Sequence, residues 1–242
     1  MISQQKEFWE NYWSKEKRSS DKFLFAELLK SLNIENINSY FEFGCAPGSI
    51  MAHFHKEYKC KVCGIDLVDR EIMNKYLDEE GVMTYEAHQG SLFEFDSDTK
   101  YDFVASYGLI EHFHNYEEII NKHKSLVADN GYLFISVPNM RYINYLINRL
   151  FDKDFLASHN LDVMDLKLLK KLILDDQFIP VFANYYLTSY FQANEDSSRL
   201  NSRPKIKKVY HHMNRAMKHT KVDNIPNRVA SPYIAVLAKK IK

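Results

Sequence analysis

Residues 40–50 read Tyr-Phe-Glu-Phe-Gly-Cys-Ala-Pro-Gly-Ser-Ile. An apolar run ends in an acid, and two of the chain's seven glycines follow within six positions. Glycine supplies backbone conformations that other residues avoid, so this pattern predicts a buried strand ending in a tight turn that leads into a helix. All seven glycines lie between Gly44 and Gly131, which places the shaped turns of the protein in one window.

The same window carries the clearest alternation of strand and helix patterns. Strand-like runs occupy 39–44, 60–67, 83–88, 101–108 and 131–138, with helical patterns at 49–58, 69–80 and 115–128 between them. In the last helix, Ile119, Ile120, Leu126 and Val127 form an apolar side opposite Glu117, Asn121 and Lys124. This order predicts a parallel sheet covered on both faces. Two further strands are expected at 178–187 and 232–240, and two helices at 3–17 and 21–32 precede the sheet.

In such a sheet, ligands bind beyond the carboxyl ends of the strands. Glu42, Gly44, Cys45, Ala46, Pro47 and Gly48 stand at the first such end, and Asp66 stands at the second. An acid at the second strand end suits the hydroxyls of a ribose; its other reading is a helix cap, for which Asp69 is the better candidate.

Composition narrows the class. The 242 residues are 45% apolar and 14% aromatic, enough for a sizeable core. Net charge is zero, with 32 basic and 32 acidic residues, so a nucleic-acid partner is not expected. The start, "MISQQKEFWENYWSKEK", lacks the apolar core of a signal peptide, and no stretch is long and apolar enough for a membrane span. Three cysteines are too few for a disulfide framework, and a cytoplasmic location is expected. Cys60 and Cys63 spell C-x-x-C, but residues three apart in a strand face opposite ways. The two "HFH" triplets, 53–55 and 112–114, have no companions at ligand spacing, so no metal is expected.

The ordered set of motifs resembles the class I S-adenosylmethionine-dependent methyltransferases of the small-molecule type. Glu42, Gly44 and Gly48 match the acid-and-glycine motif, with Ala46 in place of its middle glycine. Asp66 matches the second-strand acid; "QGSLFEFD" matches the region that lines adenine; "YDFVASYGLIEHF" matches the fourth-strand motif with its Glu-His pair. The resemblance covers about 39–140. It implies a Rossmann-like, doubly wound sheet of seven strands, mostly parallel with an antiparallel last strand. It also implies that S-adenosyl-L-methionine is the cofactor. Glu42 and 44–48 would face its methionine portion, Asp66 and Leu67 its ribose, and Ser91 with Leu92 its adenine. Tyr107, Gly108, Leu109 and His112 would lie near the methionine end.

A sulfonium methyl is already activated, so the protein's task is alignment and, for an acceptor bearing a proton, its removal. His112 is the leading base, with His159 and Glu111 beside it and Tyr107 as an outside candidate; His112 can equally be structural. "FWENYW" (8–13) places Phe8, Trp9, Tyr12 and Trp13 on one helical face, either core packing or a lid. From Ser197 to Val222 there is no acid, yet eight Lys and Arg occur, and Ile206, Val209, Tyr210, Met213 and Met217 suggest an apolar stripe. The chain thus divides into helices over 1–38 placed as a lid and a cofactor-binding core over 39–187. A basic excursion over 188–231 and a last strand over 232–242 complete it. The expected acceptor is a small anionic molecule methylated at a hydroxyl oxygen, a phosphate-bearing substrate such as a nucleotide-linked sugar or glycan precursor. A quinone or lipid acceptor at a membrane surface and a non-catalytic cofactor-binding regulator are the alternatives.

Overall fold

The computed structural model describes residues 2–15, 20–151, 153–187, 202–218 and 225–242. Its centre is a seven-stranded sheet. In chain order the strands are β1 (Ser39–Phe43), β2 (Lys61–Asp66), β3 (Tyr85–Gln89), β4 (Tyr101–Tyr107), β5 (Val127–Pro138), β6 (Phe178–Tyr186) and β7 (Tyr233–Lys240). Across the sheet they run β3-β2-β1-β4-β5-β7-β6. The first five pair in parallel, and β7 lies antiparallel to both β5 and β6. The expected doubly wound sheet with an antiparallel last strand is therefore present.

The period-2 alternation of each strand splits the core into two apolar layers. Phe41, Phe43, Cys63, Val104 and Ile135 face one layer with Ile119 and Ile120 of α5 (Tyr116–Leu126). Tyr40, Val62, Phe103 and Phe134 face the other with Met51 and Phe54 of α3 (Ser49–Tyr58) and Met73 and Leu77 of α4 (Arg70–Glu79). Each fully buried Phe contributes roughly 1.5–3 kcal/mol relative to exposure. Cys60 and Cys63 belong to opposite layers, as their spacing required.

The chain order turns at β1, whose neighbours are β2 on one side and β4 on the other. Asp102 pins its start: one carboxylate oxygen accepts from the amides of Asn38 (2.8 Å) and Ser39 (3.0 Å). The carboxyl ends of β1, β2 and β4 consequently lie side by side, which positions the site.

Several boundaries differ from the sequence reading. The helix expected to 128 stops at Leu126, and β5 begins at Val127, which pairs with Tyr101. The register shift between Tyr101 and Phe103 absorbs residues 128–131, where Asn130 turns at φ 63°. The second leading helix, α2, is only Ala26–Ser31, because residues 20–22 form a separate 3-10 turn and Phe25 offers no side-chain cap. Helices α6 (Tyr142–Phe151), α7 (Lys153–Ala157) and α8 (Leu166–Ile173) had no counterpart in the sequence reading. Asp165 caps α8 by accepting from the amides of Lys167 and Leu168.

Of the basic excursion, Pro204–Lys218 forms α9, and residues 188–201 and 219–224 lie outside the described residues. The buried side of α9 carries Tyr210 and Asn214, whereas Val209 is 57% exposed. The expected stripe is thus corrected at Val209: the helix turns that position outward. No helix among the described residues is long and apolar enough to cross a membrane.

Candidate functional site

The loop after β1 is built from its glycines. The Gly44 amide donates to the Ile65 carbonyl at 2.8 Å, so the loop leaves β1 along the end of β2. Gly44 turns at φ +73° and Gly48 at φ +108°, a region that L side chains rarely adopt, and α3 starts directly after Gly48. A Cβ on Gly44 would stand 2.8 Å from Leu109 Cδ1. That contact joins the β1 loop to the β4 loop, two segments 65 residues apart that the sequence assigned to one ligand.

Cys45 contributes main chain only. Its thiol is buried 3.3 Å from the Met73 sulfur, and burial pushes its pKa well above the ordinary thiol range. Ala46 donates its amide to Asp66 Oδ2 at 3.0 Å, and Val68 donates to the other oxygen at 3.1 Å. Burial raises the Asp66 pKa, and these amides pull it back down. Asp66 therefore shapes the glycine loop as well as standing at its edge. Asp69, not Asp66, caps α4, accepting from the Glu71 amide.

Glu42 is buried and accepts from the Tyr40 hydroxyl at 3.0 Å. Tyr40 precedes it by two on the same face of β1, a partner that strand periodicity could have revealed. Glu42 pairs in register with Gly64, two residues before Asp66. The Gly90 amide donates to the Asp66 carbonyl at 2.9 Å, bringing Ser91 and Leu92 to the same edge. The Ser91 hydroxyl accepts from the Phe93 amide, and Leu92 is buried in the core. Tyr107 packs among Phe23, Phe25 and Phe134. Burial and the Glu42 carboxylate raise its hydroxyl well above the ordinary range, which removes it as a base near neutrality.

Beyond β4 the chain makes one 3-10 turn, Ile110–His112, that presents Glu111 and His112. Glu111 is 1% exposed, and its Oε2 has no hydrogen-bond partner among the described residues. Its Oε1 lies 3.9 Å from His112 Nε2. Burial pushes the Glu111 carboxyl up to about 8. Burial, and then His159, bring the His112 imidazole down to about 4. Near neutrality the two stand as carboxylic acid and neutral imidazole, not as an ion pair. Glu111 does not cap the next helix; Asn115 occupies that position before α5.

Folding brings His159 to this turn. Its ring centroid is 4.6 Å from that of His112. His112 Nδ1 is 3.4 Å from the Ser158 carbonyl, and His159 Nδ1 is 3.1 Å from the Ser158 hydroxyl. The Asn160 amide donates to the Glu111 carbonyl at 2.6 Å, clamping the two segments together. A cleft lined by Leu161 and Asp162, which follow this segment, and by Arg141, Tyr142 and Tyr145 at the start of α6 opens next to it in the chain.

Helix α1 (Ile2–Lys15) covers this edge. The Trp9 ring stands edge-on to His112 with centroids 5.4 Å apart, and Glu10 accepts from the Asp69 amide at 3.2 Å. Local sequence gave no sign of either contact, since Glu10 and Asp69 are 59 residues apart.

The loops that follow β1, β2 and β4 thus bring Gly44, Ala46, Asp66 and Leu109 to one edge of the sheet. A family profile of the methyltransferase domain matches residues 12–194. The chain belongs to that family. Within the methyltransferase domain, the positive-φ turns at Gly44 and Gly48, which a Cβ would obstruct, with Glu42 and Asp66 at neighbouring strand ends, fit S-adenosylmethionine, the family's cofactor. Pavine N-methyltransferase from Thalictrum flavum subsp. glaucum is 26% identical over 129 residues, covering 52% of this chain and 36% of that protein. The chain thus spans about a third of the length of that curated relative. Coclaurine N-methyltransferase bound to N-methylheliamine and S-adenosylhomocysteine shares the fold with a TM-score of 0.56 at 13% identity, covering 89% of this chain and 70% of that one. The N-methyltransferase NodS from Bradyrhizobium japonicum WM9 shares it with a TM-score of 0.53 at 10% identity, over 92% and 97% of the two chains.

Proposed function

We propose that this methyltransferase transfers the methyl group of S-adenosylmethionine to an amine nitrogen of a small-molecule acceptor. The observation that carries this reading is the buried Glu111 carboxyl, whose Oε2 lacks a partner, beside His112 Nε2. A protonated amine would supply the missing donor to Oε2, and its charge would favour the ionised form of the carboxyl. Amine methylation by the named relatives points the same way.

The cofactor, when bound, supplies a methyl carbon activated by its sulfonium. Glu42 and the backbone of 44–48 would face its methionine end, Asp66 and Leu67 its ribose, and Ser91 with Leu92 its adenine. Gly108 and Leu109 would border the methionine end. The amine must lose a proton before its lone pair can attack, and the neutral imidazole of His112 accepts that proton. His159 and Ser158 hold the His112 ring in place, and α1 acts as a lid that excludes water.

The phosphate-bearing hydroxyl acceptor expected from the sequence rests on the basic excursion. Its described cations, such as Arg203, Lys205 and Lys208, stand exposed on or beside α9. They would suit an anionic group on the acceptor without deciding which atom is methylated. The test is a panel of primary and secondary amines and matched alcohols, scored by S-adenosylhomocysteine release. Turnover confined to amines supports the reading; turnover confined to alcohols overturns it.

A further inference from the structure

We propose that Glu111, His112 and His159 form a binding site for a divalent transition-metal cation of the Zn2+ class. One ligand atom from each residue lies within 4.8 Å of the other two. Two imidazoles and one carboxylate are a donor set that selects Zn2+, Co2+ or Ni2+ over Mg2+ and Ca2+, which prefer oxygen. Three protein ligands also leave further coordination positions for an outside group.

The surroundings are those a metal site needs. Metal-binding histidines hold their second ring nitrogen in a hydrogen bond, which fixes the tautomer and aims the other nitrogen. Here a single residue serves both rings: the Ser158 carbonyl faces His112 Nδ1, and its hydroxyl faces His159 Nδ1. His112 is thereby left with Nε2 directed at Glu111 Oε1. The buried Oε2 of Glu111 has no other partner among the described residues, so the carboxylate lacks a competing hydrogen bond there. The hydrogen bond from Asn160 to the Glu111 carbonyl holds the segment bearing His159 against the turn bearing the other two ligands. The second cluster of ligand-type side chains, Cys63, Glu86 and His88, is less suited, because Glu86 is committed to an ion pair with Lys61.

A cation there would occupy the lone pair with which His112 accepts the acceptor's proton. Zn2+ should therefore inhibit methyl transfer, competing with the amine. This consequence rests on the proposed function, whereas metal binding itself does not.

The experiment titrates the full, chelator-treated chain with Co2+ and Zn2+, read by calorimetry and by the visible bands of bound Co2+. The expected result is saturable uptake of one cation, with visible Co2+ bands that Zn2+ abolishes and excess Mg2+ leaves unchanged. His159→Ala and Glu111→Gln should each weaken uptake by about 100-fold or more, and Ser158→Ala by about 10- to 100-fold through loss of orientation. Circular dichroism checks each fold, and His159→Gln replaces any alanine variant that fails to fold. Absence of Co2+ bands, or uptake unchanged in a folded His159 variant, overturns the site. Metal uptake without methylation of any amine would sink the amine reading alone. Amine methylation by a protein that takes up no metal would sink the site alone.

Discussion

Trp9 of the leading helix stands edge-on to His112, 5.4 Å between ring centroids at 76°, although 103 residues separate them in the chain. Such a contact is worth about 0.5–1.5 kcal/mol beyond its buried area. If α1 closes over the acceptor, Trp9→Ala should raise the acceptor KM by about three- to tenfold. Trp9→Phe, which keeps a ring, should stay within about twofold. Steady-state kinetics with a saturating cofactor measures both, and an unchanged KM in Trp9→Ala would remove the lid role.

The glycine cradle gives a sharper prediction. At φ +73°, an L side chain on Gly44 is strained by about 1–2 kcal/mol. Its Cβ would also press on Leu109 Cδ1. Gly44→Ala should leave a folded protein whose affinity for S-adenosylmethionine falls by about tenfold or more, as ~1.4 kcal/mol corresponds to tenfold. Calorimetry with S-adenosylmethionine and S-adenosylhomocysteine checks it.

Glu111 and His112 are expected to act on turnover and not on cofactor binding. General-base groups contribute about 10²- to 10⁴-fold, so His112→Ala should lower kcat within that range. Glu111→Gln keeps the side-chain volume but removes the carboxyl that the acceptor amine would face beside His112, and it should also lower kcat by about 10²-fold or more. Both variants should hold cofactor affinity within about threefold of the parent by calorimetry. A large loss of cofactor affinity would recast the pair as a cofactor-binding element.

His123 predicts how stability depends on pH. Its ring is fully buried against Phe43, with Nδ1 2.7 Å from the Ile119 carbonyl. Burial lowers its pKa from 6.5 to about 4. Below 6.5 the unfolded chain takes up the proton that the folded chain refuses. The contribution is therefore complete above pH 6.5 and lost as pH falls toward 4. At about 1.4 kcal/mol per pKa unit, the loss amounts to about 3 kcal/mol. Urea unfolding between those limits should show a shallower slope in His123→Leu than in the parent.

The glycine window, the strand periodicity and the acids at two strand ends were enough to place Glu42, Gly44, Gly48 and Asp66 around one sheet edge. These features are local: each depends on residues within a few positions along the chain, and parallel topology leaves little freedom in how they meet. Helices α6 to α8 were missed because the reading followed βα alternation, which pauses between β5 and β6. The buried His123 was hidden on a helix whose apolar face was otherwise legible.

The site's reactive end was legible only in part. Sequence alone determined the fold and which strand ends lie side by side, because β-period alternation and glycine turns are encoded residue by residue. Only the tertiary structure decided that Ser158 and His159 turn back onto Glu111 and His112, and that Trp9 and Glu10 close over the same edge. Those contacts join segments tens of residues apart through packing and single hydrogen bonds, and no short-range pattern in the chain records them.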